Sequence, residues 1–158
     1  MRASTLIPMS LMLLVAACSG PAPRPVSYWE NISQPSAVSE KGNEVALYAL
    51  GLIDTGYRFG GKNPEAGLDC SGMVSHIFEQ AAGLRLTGSA ADIARRGKPV
   101  DLDKIKPGDL VFFNTRRFAF SHVGIYLGEN QFIHSPRRGR EAEVTTIDKR
   151  YWQKRING

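Results

Sequence analysis

The apolar pattern of this chain changes period once along its length, and that change limits the fold more than any other feature. Up to about Arg96, apolar residues recur at helical spacing; from Lys106 onward they come in short runs separated by Gly, Pro and Asn. A first helix reads from about Glu44, with Val45, Leu47, Tyr48, Leu52 and Ile53 as an approximate stripe and Gly56 as its stop. A second is sharper: Met73, Val74, Ile77, Phe78 and Ala81 line one face from Ser71 to Ala82, closed by Gly83. A third, weaker helix covers Ser89 to Arg96. Beyond it, "KPGDLVFF" turns into a buried-looking strand from Leu110 to Phe113. "SHVGIYLG" and "QFIHS" form a hairpin around Gly128-Glu129-Asn130, and "EVTTI" supplies a further strand. Helices first and antiparallel strands second define an α+β domain.

The ends read differently. In residues 1–17 Arg2 is the only charge, and the apolar run from about Leu6 to Ala17, broken by Pro8 and Ser10, is too short to cross a bilayer. That pattern suits an export signal. Small residues lead into Cys18, and "VAAC" resembles the lipobox of bacterial lipoproteins; the alternative is an ordinary signal with an incidental cysteine. The resemblance implies acylation of Cys18 and a stable membrane anchor. With Ser19 rather than Asp behind it, the resemblance also implies the outer membrane, facing the periplasm. Residues 18–39, with "PAPRP" and "SQPSAVS", read as a tether, although "YWE" at Tyr28 to Glu30 could dock. The folded domain is then 40–158.

An exported chain with two cysteines suggests a disulfide. If Cys18 carries lipid, Cys70 has no partner, and an unpaired thiol in an oxidising compartment is a liability unless it is buried or used. Loss of residues 1–17 removes Arg2 alone and lowers the net charge from +5 to +4. That surplus suits an anionic polymer or membrane, including carboxylate-bearing cell wall. No nucleic-acid motif accompanies it.

Cys70 falls at the first turn of the second helix, where the helix amides favour thiolate over thiol. Of three histidines, His76 lies on the same helix but on another face, and reads as a surface residue. His122 and His134 lie on the hairpin. If position i pairs with 258 minus i, Gly124 faces His134 and Tyr126 faces Phe132; the two histidines then share a sheet face as diagonal neighbours. A slip of one residue would separate them. A thiol, a histidine to move its proton and a third group fixing that histidine's tautomer is the logic of cysteine-dependent acyl transfer. The same residues could bind zinc in principle, but their placement suits a catalytic pair with an orienting residue, so neither metal nor cofactor is implied.

Five blocks, "YRFGG", "LDCSGMVSHIF", "KPGDLVFF", "SHVGIYLG" and "FIHSPRRG", follow one another in the order found in the NlpC family of bacterial cell-wall peptidases. From about Val45 to its end the chain closely resembles that family. The resemblance implies a papain-like fold, with N-terminal helices packed on a C-terminal antiparallel sheet. It makes Cys70 the nucleophile, His122 the general base and His134 the group that orients His122. Tyr57 resembles the tyrosine that lines the oxyanion site beside the Cys70 amide. Asp69 and Ser71 match positions that hold substrate peptide in some relatives. Local readings stand beside these: Tyr57 as packing, Asp69 as a helix cap, Gly60-Gly61 and Gly108-Asp109 as turns. Arg137 to Arg140 read as a solvated loop or a contact for substrate carboxylates. One stretch departs from the family: "LRLTGSAADIA" lacks the Pro-Arg pair and the Gln that many relatives carry, which alters the groove wall.

The resemblance thus implies a lipid-anchored peptidoglycan endopeptidase. The bond cut is either the D-alanyl-diaminopimelate cross-link or the γ-D-glutamyl-diaminopimelate bond, and the layout favours the first. Two other classes stay open: a catalytically silent wall-binding lipoprotein, and a papain-like acyltransferase or lipase acting on lipid. The implied partners are peptidoglycan and, through Cys18, the membrane; the sequence leaves any regulatory protein unspecified.

Overall fold

The computed structural model describes residues 37–157; the export signal, Cys18 and the Tyr28 to Glu30 stretch lie outside them. Helix α1 spans Ala37–Leu50, seven residues earlier than the stripe predicts. Gly42 lies inside this helix and serves packing. A Cβ there would stand 2.4 Å from the Pro107 carbonyl oxygen, where the helix meets the turn before the sheet. The expected stripe needs correcting too. Leu47 is 72% exposed and Ile53 40%, whereas Val45, Ala46 and Ala49 are buried. Small residues let α1 lie close on its neighbour.

A two-stranded hairpin follows, β1 (Lys62–Asn63) with β2 (Gly67–Leu68), then α2 (Cys70–Ala82) and α3 (Ala90–Arg96). Asp69 caps α2, its Oδ1 accepting from the Gly72 amide at 2.7 Å. Gly83 closes α2 in the left-handed region at φ 66°, and the Leu84 amide reaches back to the Phe78 carbonyl. Helix α3 opens with a capping box between Ser89 and Asp92. The Arg96 guanidinium donates to the Thr87 hydroxyl beside this box.

The four-stranded sheet runs β3 (Leu110–Phe113), β4 (His122–Gly128), β5 (Gln131–His134) and β6 (Glu143–Thr146), each strand antiparallel to the next. Strand alternation sorts its side chains. Phe112, Val123, Ile125 and Ile133 join Met73, Val74 and Ile77 of α2 in the main core. Val111, Phe113, Tyr126 and Phe132 face the other way and pack with Trp152 from the short helix α4 (Arg150–Gln153). The C-terminal residues also cover the edge of β3, the Asn157 amide donating to the Phe112 carbonyl at 2.8 Å.

The β4–β5 turn differs from expectation in an instructive way. It is a two-residue turn, Glu129-Asn130, both at positive φ, with Gly128 opposite Gln131. Carried on regularly, that pairing would set His134 opposite Ile125 and put the two histidines on opposite faces. Leu127 is an extra residue, a bulge, and beyond it Tyr126 pairs with Phe132 and Ile125 with Ile133. The bulge restores the anticipated register.

Candidate active site

His122 and His134 therefore meet. His122 Nε2 and His134 Nδ1 are 2.9 Å apart, with the rings edge-to-face at 88°. Both side chains are buried, and Trp152 covers them, stacked on His122 at 5.7 Å and edge-on to His134 at 4.9 Å. Burial depresses both imidazoles, His122 to about 3, helped by the neighbouring His134 and Arg116, and His134 to about 4, helped by Arg140 and Lys149. Both rings are neutral at neutral pH.

Cys70 reaches the same strand through backbone. The Val123 amide, one residue on from His122, and the Ser71 amide both favour its thiolate form. Among the described residues, no hydrogen bond joins the sulfur to the His122 ring itself. With Nε2 engaged by His134, Nδ1 is the only His122 nitrogen free to take the thiol proton. The helix position does not make Cys70 a thiolate, contrary to the expectation. Burial raises its pKa first and the Asp69 carboxylate second; the two amides and Arg116 only partly offset them. The resting pair is thiol and imidazole.

The other candidates fall around this pair. Tyr57 is held by backbone on both sides, its amide bonded to the Arg140 carbonyl and its neighbour Arg58 to the Leu68 carbonyl. Burial raises the Tyr57 hydroxyl above its ordinary value, with Asp69 and Cys70 adding to the rise and Arg116 opposing it. The phenol so stays a donor. Asp69 and Ser71 have local work: the Ser71 hydroxyl donates to Asp69 Oδ1 at 3.0 Å, and the Gly60 amide to Oδ2 at 2.8 Å. The cap thus also fastens the "YRFGG" loop. Gly72 makes the fit possible, because a Cβ there would lie 1.8 Å from the Gly61 carbonyl oxygen. Gly108-Asp109 is a turn, Asp109 Oδ2 accepting from the Lys106 amide, and Arg140 pairs with Glu143. His76 bonds to Tyr48 between α1 and α2, apart from the site.

Three residues escape a reading of the sequence. The buried Ser135 hydroxyl donates to the Leu68 carbonyl at 2.7 Å, joining the end of β5 to the residue before Asp69 and Cys70. Trp152 comes from a four-residue helix with no apolar stripe to announce it. Arg116 lies in the β3–β4 loop, where the Ser121 hydroxyl accepts from the Thr115 and Arg116 amides and the guanidinium stands 5.9 Å over the Phe59 ring. Arg117 and Phe120 in that loop have positive φ, strain of the kind that gathers at functional sites. The only signal for it in the sequence is the basic pair in "NTRRF".

Comparison with known proteins gives a consistent picture. Residues 54–158 match the family model described as "NlpC/P60 family". The murein DD-endopeptidase MepH of Escherichia coli (strain K12) is 37% identical over 123 residues, 75% of this chain but only 45% of that protein. The probable endopeptidase NlpC homolog of Haemophilus influenzae is 30% identical over 175 residues, covering 93% of this chain and 91% of its own. Among solved structures, the NlpC/p60 domain of peptidoglycan hydrolase SagA superposes with a TM-score of 0.62 at 31% identity, over 72% of this chain and 93% of that one. The helices packed on an antiparallel sheet described above are the papain-like arrangement of these domains.

Proposed function

This chain belongs to the NlpC/P60 family, and from that premise we propose that it is a cysteine peptidase hydrolysing an amide bond in the peptides of peptidoglycan. One observation carries the reading: the His122–His134 hydrogen bond at 2.9 Å, with the Cys70 thiol beside the backbone of the residue after His122. In this mechanism the Cys70 thiol gives its proton to His122 Nδ1 as the sulfur attacks the carbonyl carbon. The tetrahedral oxyanion accepts hydrogen bonds from the Cys70 amide and the Tyr57 hydroxyl. His122 then protonates the leaving amine, and water resolves the thioester. A neutral thiol–imidazole pair suits this sequence, because the base is empty when substrate arrives.

Of the two candidate bonds, we favour the D-alanyl-diaminopimelate cross-link, since the similar MepH is named a murein DD-endopeptidase. We further propose that residues 1–17 are an export signal, that acylated Cys18 anchors the protein to the outer membrane and that the tether, expected over 18–39, ends where α1 begins at Ala37. Digestion of purified wall with wild type and Cys70→Ala, followed by mass spectrometry of the new peptide ends, tests the activity and identifies the bond. Identical digests from the two proteins would overturn the enzymatic reading, and turnover of phospholipid but not wall would favour the acyltransferase. Cys18→Ser should move the protein from the membrane to the soluble fraction; unchanged fractionation would remove the anchor.

A further inference from the structure

The His134 side chain is 1% exposed, and its Nε2 is the one buried side-chain nitrogen or oxygen without a hydrogen-bond partner among the described residues. Such an atom calls for an explanation. Glu143, the residue directly opposite His134 in the β5–β6 ladder, has its Oε1 3.8 Å from Nε2. Its other oxygen pairs with Arg140, so the carboxylate lies between the guanidinium and the ring.

The two imidazoles share one hydrogen bond, which can be made in two ways. In the first, His122 carries its proton on Nε2 and donates to His134 Nδ1. His122 Nδ1 is then a bare acceptor, and the neutral His134 must carry its own proton on Nε2, facing Glu143. In the second, both protons move to the Nδ1 positions. His122 then has no lone pair left for the thiol, and His134 turns a bare nitrogen toward a carboxylate. The two arrangements contain the same number of protons and the same hydrogen bond between the rings. What separates them is the group outside the pair.

We propose that Glu143 is a positioning residue that selects the first arrangement, making the relay Glu143–His134–His122–Cys70 run in the direction that leaves His122 able to accept a proton. This rests on the reading of Cys70 as nucleophile and His122 as base. The present 3.8 Å needs to shorten by about 1 Å to become a hydrogen bond, a shift within reach of a half-exposed glutamate on a strand. Glu143 takes no proton. When the thiol proton passes to His122 Nδ1, His122 keeps its Nε2–H and its bond to His134, and the carboxylate stabilises the cation through that bond. Arg140 and Lys149 oppose a positive ring, and the Glu143 carboxylate, 3.8 Å from Nε2, is the negative group set against them.

Nitrogen-15 NMR of the histidine rings, read alongside kcat and KM on a cross-linked wall peptide, tests this in wild type, Glu143→Ala, Glu143→Gln and Cys70→Ala. Wild type should show protonated Nε2 and bare Nδ1 on both rings. In Glu143→Ala both tautomers should shift toward Nδ1–H and kcat should fall about 10-fold with KM little changed, the size of effect typical of a lost outer-shell partner. Glu143→Gln, whose amide oxygen can still accept from Nε2–H, should recover most of both. A purely structural Glu143 would lower thermal stability while tautomers and kcat stayed as in wild type, and that result overturns the proposal. Retention of hydrolysis by Cys70→Ala would instead overturn the reading on which it rests.

Discussion

Tyr57 and Cys70 feel the same two charges: Arg116 lowers both groups and Asp69 raises both. Replacing either charge should therefore move the thiol in a known direction. Arg116→Ala removes a lowering charge, so the pH midpoint of Cys70 alkylation should rise; Asp69→Asn removes a raising one and should lower it. Midpoints that do not move, measured from alkylation rates across pH, would separate these residues from the site. Tyr57→Phe removes a hydroxyl and leaves the ring. It should cost about 10- to 100-fold in kcat, below the loss seen when a stronger oxyanion donor is removed, with folding unchanged. That His122 and His134 would share a sheet face was legible in the sequence from the hairpin pairing. Their protonation was not, because desolvation depends on what closes over a group, and Trp152 has no local signature.

At the scale of elements, the start of α2 and the β4–β5 hairpin set the geometry. Asp69 binds Gly72, Ser71 and Gly60 at once. Asp69→Ala should lose about 1–2 kcal/mol of stability, as caps typically do, and loosen the "YRFGG" loop in hydrogen exchange. A denaturation midpoint equal to wild type would show the cap to be dispensable. The end of α2 followed from Gly83, whose capping chemistry is local. The start of α1 did not, since a glycine needed for close packing looks the same in sequence as a glycine that ends a helix. The hairpin shows how narrow legibility can be. The register was anticipated from a three-residue link, whereas the molecule reaches it with a two-residue turn and a bulge at Leu127. Two departures from the expected local geometry cancel, and the histidines meet.

Across the whole molecule, the buried histidine pair couples folding to pH. Both folded-state values, about 3 and about 4, lie below the 6.5 of a free imidazole, so the unfolded chain takes up protons first as the pH falls. Stability is then whole above about pH 6.5 and drains as the pH drops toward those values, by at most about 1.4 kcal/mol per pH unit for each ring. His134→Gln should flatten the fall in thermal midpoint between pH 7 and 4.5; parallel curves would contradict it. The fold class and the sheet order were visible in the change of apolar period. The long-range ties, Ser135 to Leu68 and the C-terminal residues along β3, were not, since single hydroxyls and edge pairings leave no periodic trace. The central claim is that the Cys70 sulfur forms the bond to substrate with His122 and His134 behind it. Acid quenching of a wall-peptide digest during turnover, followed by mass mapping, tests it most directly. The account predicts a stem-peptide acyl group on the Cys70 peptide in wild type and none in His122→Ala; active enzyme whose acyl group sits elsewhere, or nowhere, would contradict it.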